Sequence, residues 1–152
     1  MAMTVAKPLF IDTNILIYAN IAESSFHTQA LHAIQRAHSA DRPMWISRQV
    51  LREYLVTMTR SQAFTTPPKP IVLDQVTQFC KRFYVADDTT TVTQNLISLI
   101  SRHDIGGKRV HDTNIVATML AFNIPCLLTH NVSDFARFGD CIEIEGLLPE
   151  HD

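Results

Sequence analysis

Leu9-Phe10-Ile11-Asp12-Thr13-Asn14-Ile15-Leu16-Ile17-Tyr18-Ala19 decides how the rest of the chain is read. Three apolar residues stop at Asp-Thr-Asn, a turn-forming cluster, and an apolar stretch then resumes. The pattern predicts strand, turn and helix, with Asp12 at the carboxyl end of the strand. The same alternation continues outward from there. A helix is expected from about Ser25 to Ser39, a strand at Met44-Trp45-Ile46, and a helix from the N-cap Ser47 to about Arg60. Ser61 to Pro70 is proline-rich and reads as a loop. Helices follow over about Ile71 to Phe83 and Thr91 to Arg102, with a short strand at Tyr84-Val85-Ala86 between them. After a basic loop, His103 to Arg109, come a helix at Val110 to Phe122 and a strand at Cys126-Leu127-Leu128-Thr129. A turn containing Asn131 and Asp134 and a strand near Cys141 to Ile144 close the pattern. Such alternation implies an α/β fold, a three-layer α/β/α sandwich around a central parallel sheet. Its binding crevice lies beyond the carboxyl ends of the strands.

The chain has 152 residues, 46% hydrophobic and 18% charged, which fits one soluble globular domain spanning 1–152. A net charge of −2 excludes a basic coat but leaves room for a local basic patch. Cys80, Cys126 and Cys141 are odd in number and form no Cys-x-x-Cys pair, so buried reduced thiols are expected rather than disulfides or zinc. No stretch approaches the ~20 apolar residues of a membrane helix. Met1 to Pro8 has no signal-peptide pattern, and a cytoplasmic protein is expected. The seven histidines show no metal-ligand spacing; His27, His32 and His38 are expected on an exposed helix face, and Trp45 in the core.

Four carboxylates require an explanation. Asp112 precedes Ile115 and Val116 by three and four residues, which places it on the apolar stripe they share with Met119 and Leu120. A lone buried carboxylate is costly and needs a partner. Asp12 could simply cap a helix, Glu53 could pair with Arg52, and Asp134 could start a short helix. Converging at one sheet edge, these acids would repel one another unless cations sat between them. Carboxylate ligands without obligatory His or Cys select Mg²⁺ or Mn²⁺, which suits phosphodiester cleavage.

Phe10-Ile11-Asp12-Thr13-Asn14-Ile15-Leu16, Ile46-Ser47-Arg48-Gln49-Val50-Leu51-Arg52-Glu53-Tyr54, His111-Asp112 and Leu128-Thr129-His130-Asn131-Val132-Ser133-Asp134-Phe135 resemble the ordered motifs of PIN-domain ribonucleases. The nearest branch is the VapC-type toxins of prokaryotic toxin–antitoxin pairs. The resemblance spans about Leu9 to Ile144 and implies a Mg²⁺- or Mn²⁺-dependent endoribonuclease acting on RNA. Asp12, Glu53 and Asp112 match the three central acids. Many members place the fourth acid where Asn131 stands; others use the position of Asp134, which is taken here, with Asn131 as a polar helper. Thr13, Asn14 and Thr129 would orient the carboxylates. Arg48, Arg52, Lys108, Arg109 and His111 would contact RNA phosphates. The family also implies a homodimer and an inhibitory antitoxin protein.

Other readings fit less well. A receiver domain would want adjacent acids after the first strand, but the pair Asp87-Asp88 follows the third. A haloacid-dehalogenase-like phosphatase would want a second Asp at the position of Asn14. A non-catalytic RNA-binding or protein-interaction module on the same fold is the alternative from a different class.

Overall fold

The computed structural model of the protein describes residues 6–60 and 66–149. Five parallel strands form one sheet: β1 (Leu9–Ile11), β2 (Met44–Ser47), β3 (Tyr84–Ala86), β4 (Cys126–Leu128) and β5 (Glu143–Glu145), in the order β3-β2-β1-β4-β5. The helices are α1 (Thr13–Asn20), α2 (His27–Ser39), α3 (Arg48–Thr59), α4 (Lys69–Arg82), α5 (Thr90–Arg102), α6 (Arg109–Ala121) and the single turn α7 (Val132–Phe135), which runs into a 3-10 turn at Ala136–Phe138. They flank the sheet as the outer layers of an α/β/α sandwich. The central strands β1 and β4 are buried throughout, as expected for a parallel sheet covered on both faces.

The local chemistry explains the punctuation. Ser47 and Thr89 cap α3 and α5, their hydroxyls accepting from Val50 N and Val92 N at 3.3 Å each. α2 and α6 end alike: Asp41 (φ 55°) and Asn123 (φ 56°) adopt the left-handed region. Behind them Arg42 N and Ile124 N donate to the carbonyls of Ala37 and Met119 at 3.0 and 2.9 Å. A proline follows each ending, Pro43 or Pro125, and the chain enters a central strand.

Strand order places the site. From β1 the chain builds outward through β2 and β3, then crosses back to add β4 on the other side of β1. The reversal leaves a crevice between β1 and β4 at their carboxyl ends. Ile11 pairs with Leu128, so the next residues, Asp12 and Thr129, emerge side by side.

Several expectations need correction. Pro70 lies inside the first turn of α4, where a missing N–H costs nothing, so that helix starts before Ile71. Residues 61–65 of the expected loop, and residues 1–5 of the stretch read for a signal peptide, fall outside the described residues. The turn containing Asn131 and Asp134 is the short helix α7, as allowed for Asp134, with Asn131 at its N-cap. β5 begins later than Cys141, because the 3-10 turn ends with Cys141 and Ile142 N–H groups bonded back to Phe138. Of the cysteines only Cys126 is buried; Cys80 sits on the exposed face of α4 and Cys141 is half-buried. Leu120 is exposed as well, while Thr113, Ala117 and Thr118 join Ile115, Val116 and Met119 in burial, so α6 is covered on a broader and differently centred face than its sequence suggests. His32 and His38 are exposed, whereas His27 is half-buried, its Nδ1 2.9 Å from the Tyr18 carbonyl. Trp45 packs between Tyr84 and Phe122, with ring centroids at 5.0 and 5.7 Å.

Candidate active site

Asp12 ends β1 and caps α1 at once. Its Oδ1 accepts from Thr13 N at 2.8 Å, and its Oδ2 accepts from Thr129 Oγ1 at 2.7 Å. The capping role and a site role therefore coexist in one carboxylate. Only 6% of the residue is exposed. Burial pushes its pKa from 3.8 up to about 6; the two hydrogen bonds oppose that rise, while the charges of Glu53 and Asp112 add to it.

Thr13, Asn14 and Thr129 surround this carboxylate. The Thr13 hydroxyl donates to Glu53 Oε2 at 2.8 Å, linking the first two acids. Asn14 reaches Asp12 Oδ2 and Thr129 Oγ1 with its Nδ2, both at 3.4 Å, and accepts from His130 N at 3.2 Å. Thr129 Oγ1 also accepts from Asn131 N at 3.0 Å. The ends of β1 and β4 are thus tied together by side chains where the strand ladder stops.

Glu53 comes from the second turn of α3. Its other oxygen, Oε1, accepts from Gln49 Nε2 at 2.8 Å. Arg52 is not its partner: the guanidinium reaches Asp88 at 3.1 Å, while Arg48 holds Asp87 at 2.9 Å. The acidic pair after β3 therefore has an ordinary ion-pairing role.

Asp112 lies in the first turn of α6, on the face of Ile115, Val116 and Met119 but only half-buried, because that end of the face opens onto a cleft. Its pKa is raised by burial first, then by the charges of Asp134 and Glu53, against lowering by His111 and Arg109. Asp134 itself is exposed on α7; its charge reaches Asp112, but its side chain does not line the cleft.

That cleft has a volume of about 470 Å³. Asp12, Glu53 and Asp112 line it together with Thr13, Asn14 and Asn131. Of the expected basic contacts, Arg52 and His111 line it; Arg48, Lys108 and Arg109 stand outside. Two groups were missed by sequence reading. Arg60 lines the cleft two turns beyond Arg52, a spacing that could have revealed it. Gln49 and Asn114 are bonded to each other behind it, and only the Gln49-to-Glu53 interval of four residues hinted at that.

The donor set suits a hard divalent cation: carboxylate oxygens predominate, and their charges oppose one another. As they stand, no three His, Cys, Asp or Glu side chains among the described residues are grouped closely enough to enclose an ion.

Residues 9–140 match the PIN domain. The chain belongs to this family. No curated protein sequence matches it. Among solved structures, this PIN domain is similar in fold to VapBC2 from Rickettsia felis, solved with a DNA fragment from its promoter. The identity is 21% and the TM-score 0.67, covering 92% of this chain and 98% of that one. VapBC-1 from nontypeable Haemophilus influenzae is 19% identical with a TM-score of 0.68, over 91% and 96% of the two chains. VapC20 from Mycobacterium tuberculosis, described as a sarcin-ricin loop cleaving toxin, is 17% identical with a TM-score of 0.64, over 85% and 94%. At these identities the likeness is one of fold. Among the described residues of this PIN domain, no helix is long and apolar enough to cross a membrane.

Proposed function

We propose that this PIN domain is a Mg²⁺- or Mn²⁺-dependent endoribonuclease that hydrolyses RNA phosphodiester bonds, the toxin of a VapBC-type toxin–antitoxin pair. The observation that carries the reading is the meeting of Asp12, Glu53 and Asp112 in one cleft at the sheet's switch point. The family match and the toxin folds it resembles support it. On this reading the chain acts as one domain over 1–152, in the cytoplasm, as a homodimer restrained by a cognate antitoxin.

Asp12, Glu53 and Asp112 would hold the cation, with Asp134 as an outer acid. When bound, Mg²⁺ or Mn²⁺ lowers the pKa of an attacking water and offsets charge on the phosphate and leaving oxygen. The chain's own groups prepare that site. Thr13 N–H and the Thr129 hydroxyl fix both oxygens of Asp12, and Thr13 and Gln49 fix both oxygens of Glu53. Arg52, Arg60 and His111 line the cleft and can take phosphate oxygens without reading bases. Lys108 and Arg109, outside the cleft, attract the backbone at longer range; Arg48, paired with Asp87, contributes least.

Cleavage of RNA with Mn²⁺ or Mg²⁺ tests the reading. Asp12→Asn and Asp112→Asn should each abolish cleavage while circular dichroism stays unchanged, and a chelator should do the same to wild type. Equal cleavage by wild type and both variants would sink the assignment. RNA binding with no cleavage under any metal would favour the non-catalytic module instead.

A further inference from the structure

Gln49 is 5% exposed and uses its whole amide. Its Nε2 donates to Glu53 Oε1 and to the His111 carbonyl, both at 2.8 Å, and its Oε1 accepts from Asn114 Nδ2 at 2.8 Å. The amide can sit only one way round. Turned over, its oxygen would face a carboxylate and a carbonyl, and its NH₂ would face the Asn114 NH₂, making three repulsive contacts from three good ones. His111 and Asn114 bracket Asp112 on α6, while Glu53 lies one turn from Gln49 on α3. One buried amide therefore joins the two helices that carry two of the site's acids. It holds a carboxylate on one of them and backbone and side chain on the other.

We propose that Gln49 is a positioning residue, braced by Asn114, that sets the Glu53 carboxylate against the Asp112 segment and so tunes the cation affinity of the cleft. The inference rests on the metal-dependent reading above. An apolar side chain in its place would leave Glu53 held by Thr13 alone and free to rotate about that contact. Groups behind metal-ligating carboxylates commonly change affinity or activity about 10- to 100-fold when removed.

Mn²⁺ binding by titration calorimetry, Mn²⁺-dependent cleavage and thermal unfolding test it on Gln49→Leu and on the double variant Gln49→Leu/Asn114→Leu. The single change leaves Asn114 and the His111 carbonyl without their partner and should lower Tm. The double change removes the stranded Asn114 amide and should recover much of that loss. In both, Mn²⁺ affinity is expected to fall about 10-fold or more, with the KM for RNA unchanged. Recovery of both stability and Mn²⁺ affinity in the double variant would make Gln49 merely structural and overturn the proposal. Unchanged Mn²⁺ affinity in a folded single variant would overturn it too. A wild-type protein that neither binds Mn²⁺ nor cleaves RNA would overturn the nuclease reading, and this inference with it. That result is distinct from wild-type affinity retained in the variants.

Discussion

Asp12 is a buried carboxylate satisfied by hydrogen bonds yet crowded by like charges. Its pKa of about 6 in the fold lies above its ordinary 3.8. The folded protein thus binds the proton more tightly than the unfolded chain, so stability from this group is fully present below about pH 4 and is lost as pH rises through 6. The displacement corresponds to about 3 kcal/mol, reduced by whatever hydrogen bonding an amide forfeits there. In metal-free protein, Asp12→Asn is expected to be more stable than wild type at pH 8 by about 1–3 kcal/mol. The advantage should fade towards pH 4, and thermal melts across that range would check it; a pH-independent difference would contradict the charge argument. Asp112→Asn should move the same way by less, because Asp112 is only half-buried. A marked loss of stability there would instead reveal a structural partner for Asp112. Asp12's place was readable, since a carboxylate directly after an apolar strand in a parallel sheet must emerge at the binding edge. Asp112's depth was overread, because a helical repeat gives the face a residue shares but not how fully the end of the helix is covered.

α3 shows how an element's start governs the site. It is anchored by a fully buried Ser47, and its first two turns hold both Gln49 and Glu53. Ser47→Ala is expected to cost about 1 kcal/mol through the lost cap. If fraying then loosens Glu53, RNA cleavage should fall more than unfolding at the assay temperature can explain. Melts and cleavage rates on the same preparation would separate the two effects. The cap was legible from Ser47 preceding an apolar-periodic run. The ion pairs of this helix were not: Arg48 and Arg52 reach Asp87 and Asp88 beyond β3, 39 and 36 residues away, a juxtaposition created by the pairing of β2 with β3. That pairing ties up one expected RNA contact and weakens another, while Arg60 at the far end of α3 lines the cleft.

At the scale of the molecule, the proposed cation would offset the like charges that Asp12 and Asp112 face in the metal-free protein. A ligand that binds only the folded state stabilises it by about 2.7 kcal/mol at a hundred times its Kd. Mn²⁺ is therefore expected to raise Tm at pH 7.5. The rise should shrink at pH 5.5, where protons compete for Asp12. Equal increments at the two pH values would argue that Mn²⁺ binds elsewhere. Strand alternation, the helix caps, the proline-terminated helix endings and the strand-end position of Asp12 are all written within a few residues of one another. Backbone geometry and hydrophobic periodicity act at that range, so the sequence by itself determined the sandwich and the edge that bears the acids. Which acids share a cleft was decided only by tertiary packing. So were the exclusion of Asp134's side chain from its lining, the hydroxyl of Thr129 closing on Asp12 across 117 residues, and the amide of Gln49 bridging to α6. Those contacts depend on sheet order and helix packing, and no local pattern encodes the distance between side chains that meet only when the whole chain has folded.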